Sequence, residues 1–292
     1  LLDALANHHL DRHAYVVIVG GGAVLDAAGY AAALVHRGLR TVRLPTTVLS
    51  QNDGGVGVKN GVNAYGAKNF LGTFHPPAAV INDFAFLDRL PARDRVAGYA
   101  EAVKVALIRD HAFFTWLSDN RRLLARGDRD AVAILVRRAA DMHLAHIARG
   151  GDPLERGSGR PLDYGHWAAH KLESMTHHDL RHGEAVAIGM TLDARYAVLT
   201  GRLSSAAFDR VAALISDLGL PTWHEALEVR KEDGTLAVLD GLEDFREHLG
   251  GALTVTLLDD IGRGTDVEGI DRDVMTRAIA ELAPARMRHV AP

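Results

Sequence analysis

The stretch "YVVIVGGGAVLDAAGYAAALVHRGLRTVRLPTT", residues 15–47, decides how the chain begins to fold. Its first eight residues form a β-branched run that closes on three glycines, the pattern of a buried parallel strand entering a tight turn. "AVLDAAGYAAALVHRG" follows with helical spacing and stops at Gly38, a helix-ending glycine. "RTVRLPTT" is then a second strand. Strand, turn, helix and strand in this order make a crossover, and crossovers build parallel sheets. The turn "GGGAVLD" (20–26) sits at a helix N-terminus, where free N–H groups and the helix dipole favour an anion such as a dinucleotide pyrophosphate. Leu25 occupies the third glycine position of the full dinucleotide fingerprint, so the turn alone is equally the mark of a tight strand-to-helix connection.

Outward from this unit, "AAVINDFAFLDRLP" (78–91) supplies another strand and a turn. The segment 50–77 is rich in glycine and asparagine and shows neither period, so it reads as a long loop of the kind that usually serves function. Past Pro91 the character changes. "DRVAGYAEAVKVALI", "DAVAILVRRAADMHLAHIA", "YGHWAAHKLESM", "GEAVAIGMTLDARYAVL" and "SSAAFDRVAALISDLG" all show helical spacing with alanine-rich faces. Strand signals return in "LTVTLLDDIG" (253–262). The expected architecture is an α/β, Rossmann-like nucleotide-binding domain over 1–92 and a mostly helical domain over 93–292.

With 292 residues, 48% of them hydrophobic and 24% charged, the chain has the balance of a soluble globular protein. A formal charge of -4 gives no reason to expect nucleic acid or an anionic membrane surface as partner. No apolar run approaches the ~18 residues of a membrane span, and the opening "LLDALANHHLDRHAY" lacks a signal-peptide pattern, which makes the cytoplasm the default expectation. With no cysteine, any metal must be held by His, Asp or Glu. The chain uses arginine almost throughout and has only five lysines, at 59, 68, 104, 171 and 231. Arginine and lysine differ in bulk, hydration and titratability, which singles out Lys59, Lys68 and Lys104 in the segments that look chemical.

"QNDGGVGVKNGVNAYGAKNFLGTFHPP" (51–77) sets two lysines, Asp53 and several asparagines among glycines. Glycines admit a ligand close to the backbone, and ammonium and amide groups suit a phosphate or polyol. In "AGYAEAVKVALI" (97–108), Glu101 and Lys104 share one face of an apolar helix, which a structural ion pair would also explain. "RPLDYGHWAAHKLE" (160–173) places His166 and His170 four apart, and "LRHGEAVAIGM" (180–190) adds His182. Three histidines and Glu101 suit a catalytic zinc site with an open position, although spacing does not say which three bind. A zinc peptidase would carry a glutamate base beside its first histidine, where this chain has Trp167.

In this order, "GGGAVLD", "LPTTVLSQNDGGVGVKNGVN", "KNFLGTFHPP", "AGYAEAVKVALI", "DYGHWAAH" and "RHGEAVAIGM" resemble the 3-dehydroquinate synthase-like sugar phosphate cyclases, almost from residue 15 to 262. The resemblance implies a homodimeric carbon–oxygen lyase that uses NAD with Zn2+ or Co2+. In that family a hydroxyl of a sugar phosphate is transiently oxidised, phosphate is eliminated, the ketone is reduced again and an intramolecular aldol addition closes a carbocycle. By position, Glu101, His166 and His182 match the metal ligands, and His170 matches a histidine that stays off the metal and assists proton transfer. Lys59, Asn69 and Lys104 match substrate-contacting residues, with Asp53, Lys68 and Arg160 in the same site. Arg37 matches an arginine that reaches the neighbouring subunit's phosphate pocket, and Gly21, Gly22, Asp26, Thr46 and Thr47 match the NAD site.

The departures bear on the substrate. Members that make 3-dehydroquinate have asparagine where Asp163 stands, and a carboxylate-holding lysine in the region that here reads "DMHLAHIARGG", with His143 and His146. His248 falls about where that family places a phosphate-binding lysine. An added carboxylate and a missing ammonium disfavour a carboxylate-bearing substrate, since two like charges a few ångströms apart cost on the order of several kcal/mol at an effective dielectric of ~20. The pattern resembles the branch that cyclises sedoheptulose 7-phosphate to valiolone-type cyclitols; some of that branch lacks the histidine retained here as His170. A 3-dehydroquinate synthase is the alternative, an NAD-dependent metal polyol dehydrogenase a distant one, and a non-catalytic binding subunit the rival from another class. The family usually has a longer stretch before its glycine turn than the nineteen residues here. The chain therefore reads as N-terminally truncated, with an incomplete adenosine pocket and weak NAD binding expected.

Overall fold

A computed structural model describes residues 1–65, 67–149, 162–249 and 251–284, with backbone alone at 67, 68, 248 and 249. One compact unit comprises Leu1–Gly98 with the described part of Val132–Gly157; the other comprises Tyr99–Ala131 with the described part of Ser158–Pro292.

The first unit opens with α1 (Leu2–Asn7), β1 (Tyr15–Gly20), α2 (Gly22–Leu34) and β2 (Arg40–Pro45). β3 (Lys59–Ala64), β4 (Ala67–Phe74), β5 (Ala79–Val80) and α3 (Ala92–Ala97) follow. β1, β2 and β5 form a parallel sheet in the order β1-β2-β5, in register Tyr15↔Arg40 and Val42↔Ala79. The crossover read from residues 15–47 is therefore present, with α2 packed on β1 and β2 and Leu25 fully buried. The β1 reading needs one correction. Ile18 is buried but Tyr15, Val17 and Val19 are exposed. Side chains alternate across a strand, and the set at 15, 17 and 19 lies uncovered while α2 packs on the strand.

The segment read as a loop also differs. Residues 50–54 make a single wide helical turn, and β3 and β4 pair as an antiparallel hairpin from Lys59↔Phe74 to Ala64↔Ala67. Its glycines and asparagines hid the strand period because they pack without apolar side chains: Gly61 faces Gly72 across the ladder. A Cβ at Gly29 of α2 would stand 1.9 Å from Asn60 Oδ1, so the hairpin lies directly against that helix. The fully buried Arg43 guanidinium donates to the Gly55 carbonyl at 3.1 Å, the Gly57 carbonyl at 2.9 Å and Asn60 Oδ1 at 2.6 Å. Burial draws its pKa below the usual arginine range, and Asp26 opposes this.

The second unit begins with α4 (Tyr99–Arg109) and α5 (His111–Arg126). α6 (Arg129–Arg149) starts here, and from Val132 it belongs to the first unit. α7 (His166–Met175), α8 (His182–Leu199), α9 (Ser205–Asp217), α10 (Asp240–Leu249), the hairpin β6 (Thr254–Asp260) with β7 (Arg263–Glu268), and α11 (Arg272–Leu282) complete the unit. α5 was not read from sequence, although Asp110 caps it by accepting the Phe113 N–H at 2.8 Å and Gly127 ends it at φ 75°. α4 is buried on every side from Tyr99 to Ile108, which makes Glu101 and Lys104 charged groups inside a core. Small residues on α8 let its neighbour approach closely: a Cβ at Gly189 would stand 2.0 Å from the Gly165 carbonyl oxygen. Among the described residues no helix is long and apolar enough to cross a membrane.

Candidate metal centre

His166 is the first residue of α7, set there by Gly165 at φ 79°, a left-handed conformation that favours glycine. The His166 N–H donates to the Asp163 carbonyl at 2.9 Å, so Asp163 belongs to the same turn. His182 is the first residue of α8, where the Glu184 carboxylate accepts the Arg181 N–H at 2.9 Å. Glu101 stands on the first turn of α4 and is 2% exposed. One donor atom each from Glu101, His166 and His182 lies within 4.8 Å of the others. Both Nε2 atoms stand 3.6 Å from Glu101 Oε1.

Each imidazole is aimed by a partner at its other nitrogen. His166 Nδ1 donates to the Tyr164 carbonyl at 3.1 Å, and His182 Nδ1 lies 3.1 Å from Glu173 Oε2. A carbonyl and a carboxylate accept, so each histidine carries a proton on Nδ1 and turns Nε2 toward Glu101. Such outer partners fix the tautomer and ring orientation of metal-binding histidines. Glu173, 5% exposed, stands three residues after His170 in the sequence pattern but receives no role there. Its sequence signal is its place seven residues after His166 and three after His170 on one helix, which brings all three onto neighbouring faces. His170 packs edge-on to His166 with ring centroids 5.5 Å apart and stacks on His182 at 6.1 Å. One atom each of His170, Glu173 and His182 also falls within 4.8 Å.

The electrostatics favour a bound cation. Burial pushes the Glu101 carboxyl up, but the ion-paired Lys104 ammonium and His182 outweigh it and bring the pKa to about 2. Burial, followed by Lys104, His182 and His170, holds His166 well below the usual imidazole range, so its ring is neutral. Both Glu101 oxygens are buried, with Lys104 paired to Oε2 and both histidine Nε2 atoms 3.6 Å from Oε1. An anionic carboxylate and imidazole Nε2 atoms turned toward one point are the donor set of a borderline divalent cation such as Zn2+ or Co2+, whose binding displaces any proton on those nitrogens. The residues present fit that group.

The other sequence-derived positions divide between the units. Asp53, Lys59, Asn69, Arg37 and the glycine turn belong to the first; Lys104, Asp163 and the three histidines belong to the second. Lys59 is exposed at the open end of the β3–β4 ladder, and Asn69 is exposed on β4 at φ 53°, its N–H donating to Asn63 Oδ1 at 2.9 Å. Arg37 is exposed at φ 68°. Asp53 Oδ1 lies 2.5 Å from Nδ1 of the buried His143, a pairing across ninety residues that sequence did not link. Gly21 caps α2, Thr46 donates its N–H to the Gly20 carbonyl at 2.9 Å, and Thr47 Oγ1 meets Ser50 Oγ at 2.7 Å. A Cβ at Gly22 would meet nothing within 4 Å, so space lies open beside the turn. Asp26, further along α2, is half-buried and interacts with Arg43. Arg160 and the side chains of Lys68 and His248 lie outside the described residues.

Comparison with known families covers residues 1–238 of the chain. The N-terminal domain of 3-dehydroquinate synthase matches residues 1–97, and its C-terminal domain matches residues 98–238. This chain belongs to the 3-dehydroquinate synthase family. The family member from Rhodopseudomonas palustris (strain BisB18), named 3-dehydroquinate synthase, is 38% identical over 292 residues, covering 96% of this chain and 75% of that protein. Among solved structures, the 2-epi-5-epi-valiolone synthase ValA from Streptomyces hygroscopicus subsp. jinggangensis 5008, with NAD+ and Zn2+ bound, superposes with a TM-score of 0.88 at 32% identity. That match covers 97% of this chain and 78% of ValA. A 2-deoxy-scyllo-inosose synthase complexed with carbaglucose-6-phosphate, NAD+ and Co2+ shares the fold at a TM-score of 0.81 and 22% identity, covering 96% of this chain and 77% of its own. The 3-dehydroquinate synthase-like sugar phosphate cyclases are thus the superfamily of this chain.

Proposed function

We propose that this chain is an NAD- and divalent-metal-dependent sugar phosphate cyclase that acts on sedoheptulose 7-phosphate. The observation that carries the reading is the convergence of Glu101, His166 and His182 in a chain of the 3-dehydroquinate synthase family. ValA, similar at 32% identity, was solved with NAD+ and Zn2+, which supports the same two cofactors here. When bound, the metal supplies Lewis-acid polarisation of reacting hydroxyl and carbonyl oxygens, and nicotinamide supplies a reversible hydride acceptor. Glu101, His166 and His182 would hold the metal, with Lys104 keeping Glu101 anionic. His170, packed on both histidine ligands, would move the substrate proton. Lys59, Asn69, Lys68, Asp53 and Arg160 would bind phosphate and hydroxyl groups of the substrate, with Arg37 serving a second subunit of a homodimer and His248 the phosphate. The turn at Gly21 and Gly22, with Asp26, Thr46 and Thr47, would hold NAD through backbone N–H groups and hydroxyls.

Asp163 favours a seven-carbon sugar phosphate without a carboxylate. Its backbone is hydrogen-bonded to His166, so its negative charge belongs to the turn that carries a ligand. A substrate carboxylate placed near it would meet like charge. The second reading, a 3-dehydroquinate synthase, has its own support: relatives of that name reach 38% identity over nearly all of this chain. One assay separates them. Sedoheptulose 7-phosphate and the seven-carbon keto acid phosphate are each offered with NAD and Zn2+ or Co2+, and phosphate release is followed. Release from the sedoheptulose ester alone supports the proposal; release from the keto acid alone replaces it with the second reading. Net accumulation of NADH with no phosphate would make the chain a dehydrogenase, since a cyclase returns its hydride.

A further inference from the structure

A buried carboxylate outside the metal cluster bears on how His166 is held. Asp193 lies on α8 with no solvent exposure. Its Oδ2 accepts the Gly165 N–H at 3.1 Å and its Oδ1 accepts the Trp167 indole N–H at 2.9 Å. These donors flank His166 on either side. The same turn is tied to α8 at two further points: the Tyr164 hydroxyl donates to the Met190 carbonyl at 2.9 Å, and the Gly165 backbone lies against Gly189 and Met190. Tyr164 in turn accepts His166 Nδ1–H. α8 also begins with His182, eleven residues before Asp193, which is about three turns and nearly the same face. One helix therefore carries one ligand candidate at its start and the clamp on the other ligand's turn further along.

We propose that Asp193 is a positioning residue for His166, acting through the Gly165 N–H and the Trp167 indole. The inference rests on the metal reading of Glu101, His166 and His182, and extends it to a residue that touches none of them. It also gives Trp167 a role. An indole at this position supplies an N–H that reaches Asp193 from the helix end bearing His166, and phenylalanine could fill the space but not make the bond. Once ionised, above a pH of about 7, the Asp193 carboxylate offers two acceptor oxygens to these two donors, so the variants are compared at pH 8. An amide at 193 would turn its NH2 toward one of those N–H groups, donor against donor, and force the turn to move.

The test compares the full chain with Asp193→Asn, Trp167→Phe and the double variant. Co2+ dissociation constants from chelator competition and the visible ligand-field spectrum of the Co2+ form are the readouts, with circular dichroism and thermal melting as fold checks. Asp193→Asn is expected to weaken Co2+ binding about 10–100-fold, as loss of an outer partner does, and to shift the ligand-field bands. The double variant is expected to recover part of that loss, because without the indole donor the amide carbonyl is free to accept the Gly165 N–H. A merely structural role gives additive losses instead. Wild-type affinity and spectrum in Asp193→Asn, or a double variant no tighter than Asp193→Asn, overturns the inference. If Asp193→Asn does not fold, Trp167→Phe decides: several-fold weaker binding with a shifted spectrum supports the role, and an unchanged spectrum and affinity overturn it. Failure of the wild-type chain to bind Co2+ would instead overturn the metal reading, and this inference with it.

Discussion

In the second unit Glu101 is buried and the two histidines facing it are each held at Nδ1 by a neighbour, whereas in the first unit Lys59 and Asn69 stand exposed and Gly22 lies beside open space. Glu101 is 2% exposed and paired with Lys104, and His166 and His182 are each oriented at Nδ1. Lys59 and Asn69 lie exposed on the hairpin, and Gly22 has room where a side chain would be. The difference follows from the ligands proposed. A small cation needs donors fixed in direction before it arrives, because every carboxylate or imidazole left loose adds reorganisation. A phosphate or pyrophosphate is large and anionic, so ammonium groups and backbone N–H groups at an accessible turn suffice.

The severest way to break this contrast is Glu101→Gln. It removes one metal donor and leaves the Lys104 ammonium buried without its counter-charge. Bound Zn2+ or Co2+ is expected to be lost, with a stability drop of about 3–5 kcal/mol. Metal analysis after gel filtration and urea unfolding measure both; stoichiometric metal in the variant would show that the pre-set donor cluster is not the metal site. His170→Ala comes next. If His170 moves protons without ligating, phosphate release falls about 10²–10⁴-fold while metal content is unchanged. Loss of the metal would place His170 among the ligands.

Glu173→Gln addresses orientation alone, since the amide keeps the volume but weakens its hold on His182 Nδ1. Metal affinity is expected to fall about 10–100-fold, and a wild-type value would remove Glu173 from the site. A pH series sharpens the contrast within the second unit, because its two buried carboxyls carry opposite signs. Burial raises Asp193 from 3.8 to about 7 against the pull of its bonds from Trp167 and Gly165. Between those values the folded chain keeps a proton that the unfolded chain releases, so this group makes stability fall as pH rises across the window. Glu101 runs the other way: its pKa of about 2 lies below the usual 4.5, so the stability it adds is full above 4.5 and is lost as pH falls toward 2. Melting of Asp193→Asn between pH 4 and 8 is expected to lack the wild-type decline; an identical profile would refute the assignment. The smallest effect on the fold is expected from Gly22→Ala in the first unit. Nothing lies within 4 Å of the added Cβ, so stability should change by less than about 0.5 kcal/mol while NAD affinity, read by fluorescence titration, falls. Unchanged affinity would separate the open turn from NAD.

Much of the fold was legible because it rests on local periodicity. The crossover from Tyr15 to Pro45 and the helices carrying Glu101, His166 and His182 stand where their spacing put them. The β3–β4 hairpin was not legible, because its stability comes from Gly61 opposite Gly72 and from Arg43 and Asn60 bonding across the unit, none of which leaves a period-2 apolar signal. Of the candidate site, the residue types and the family resemblance were in the sequence. The pairings were not: Asp53 with His143, Glu173 with His182 and Asp193 with Trp167 join residues separated by nine to ninety positions.

The sequence by itself determined the parallel crossover and the helical character of the second half, because each depends on spacing within a few turns of chain, and its lack of cysteine confined any metal donors to His, Asp and Glu. Tertiary structure alone decided which nitrogen of each histidine faces Glu101, because a tautomer is set by the partner at the other nitrogen. It also showed that the turn bearing His166 is clamped by Asp193, since a carboxylate sealed in a core is defined by the donors packed around it.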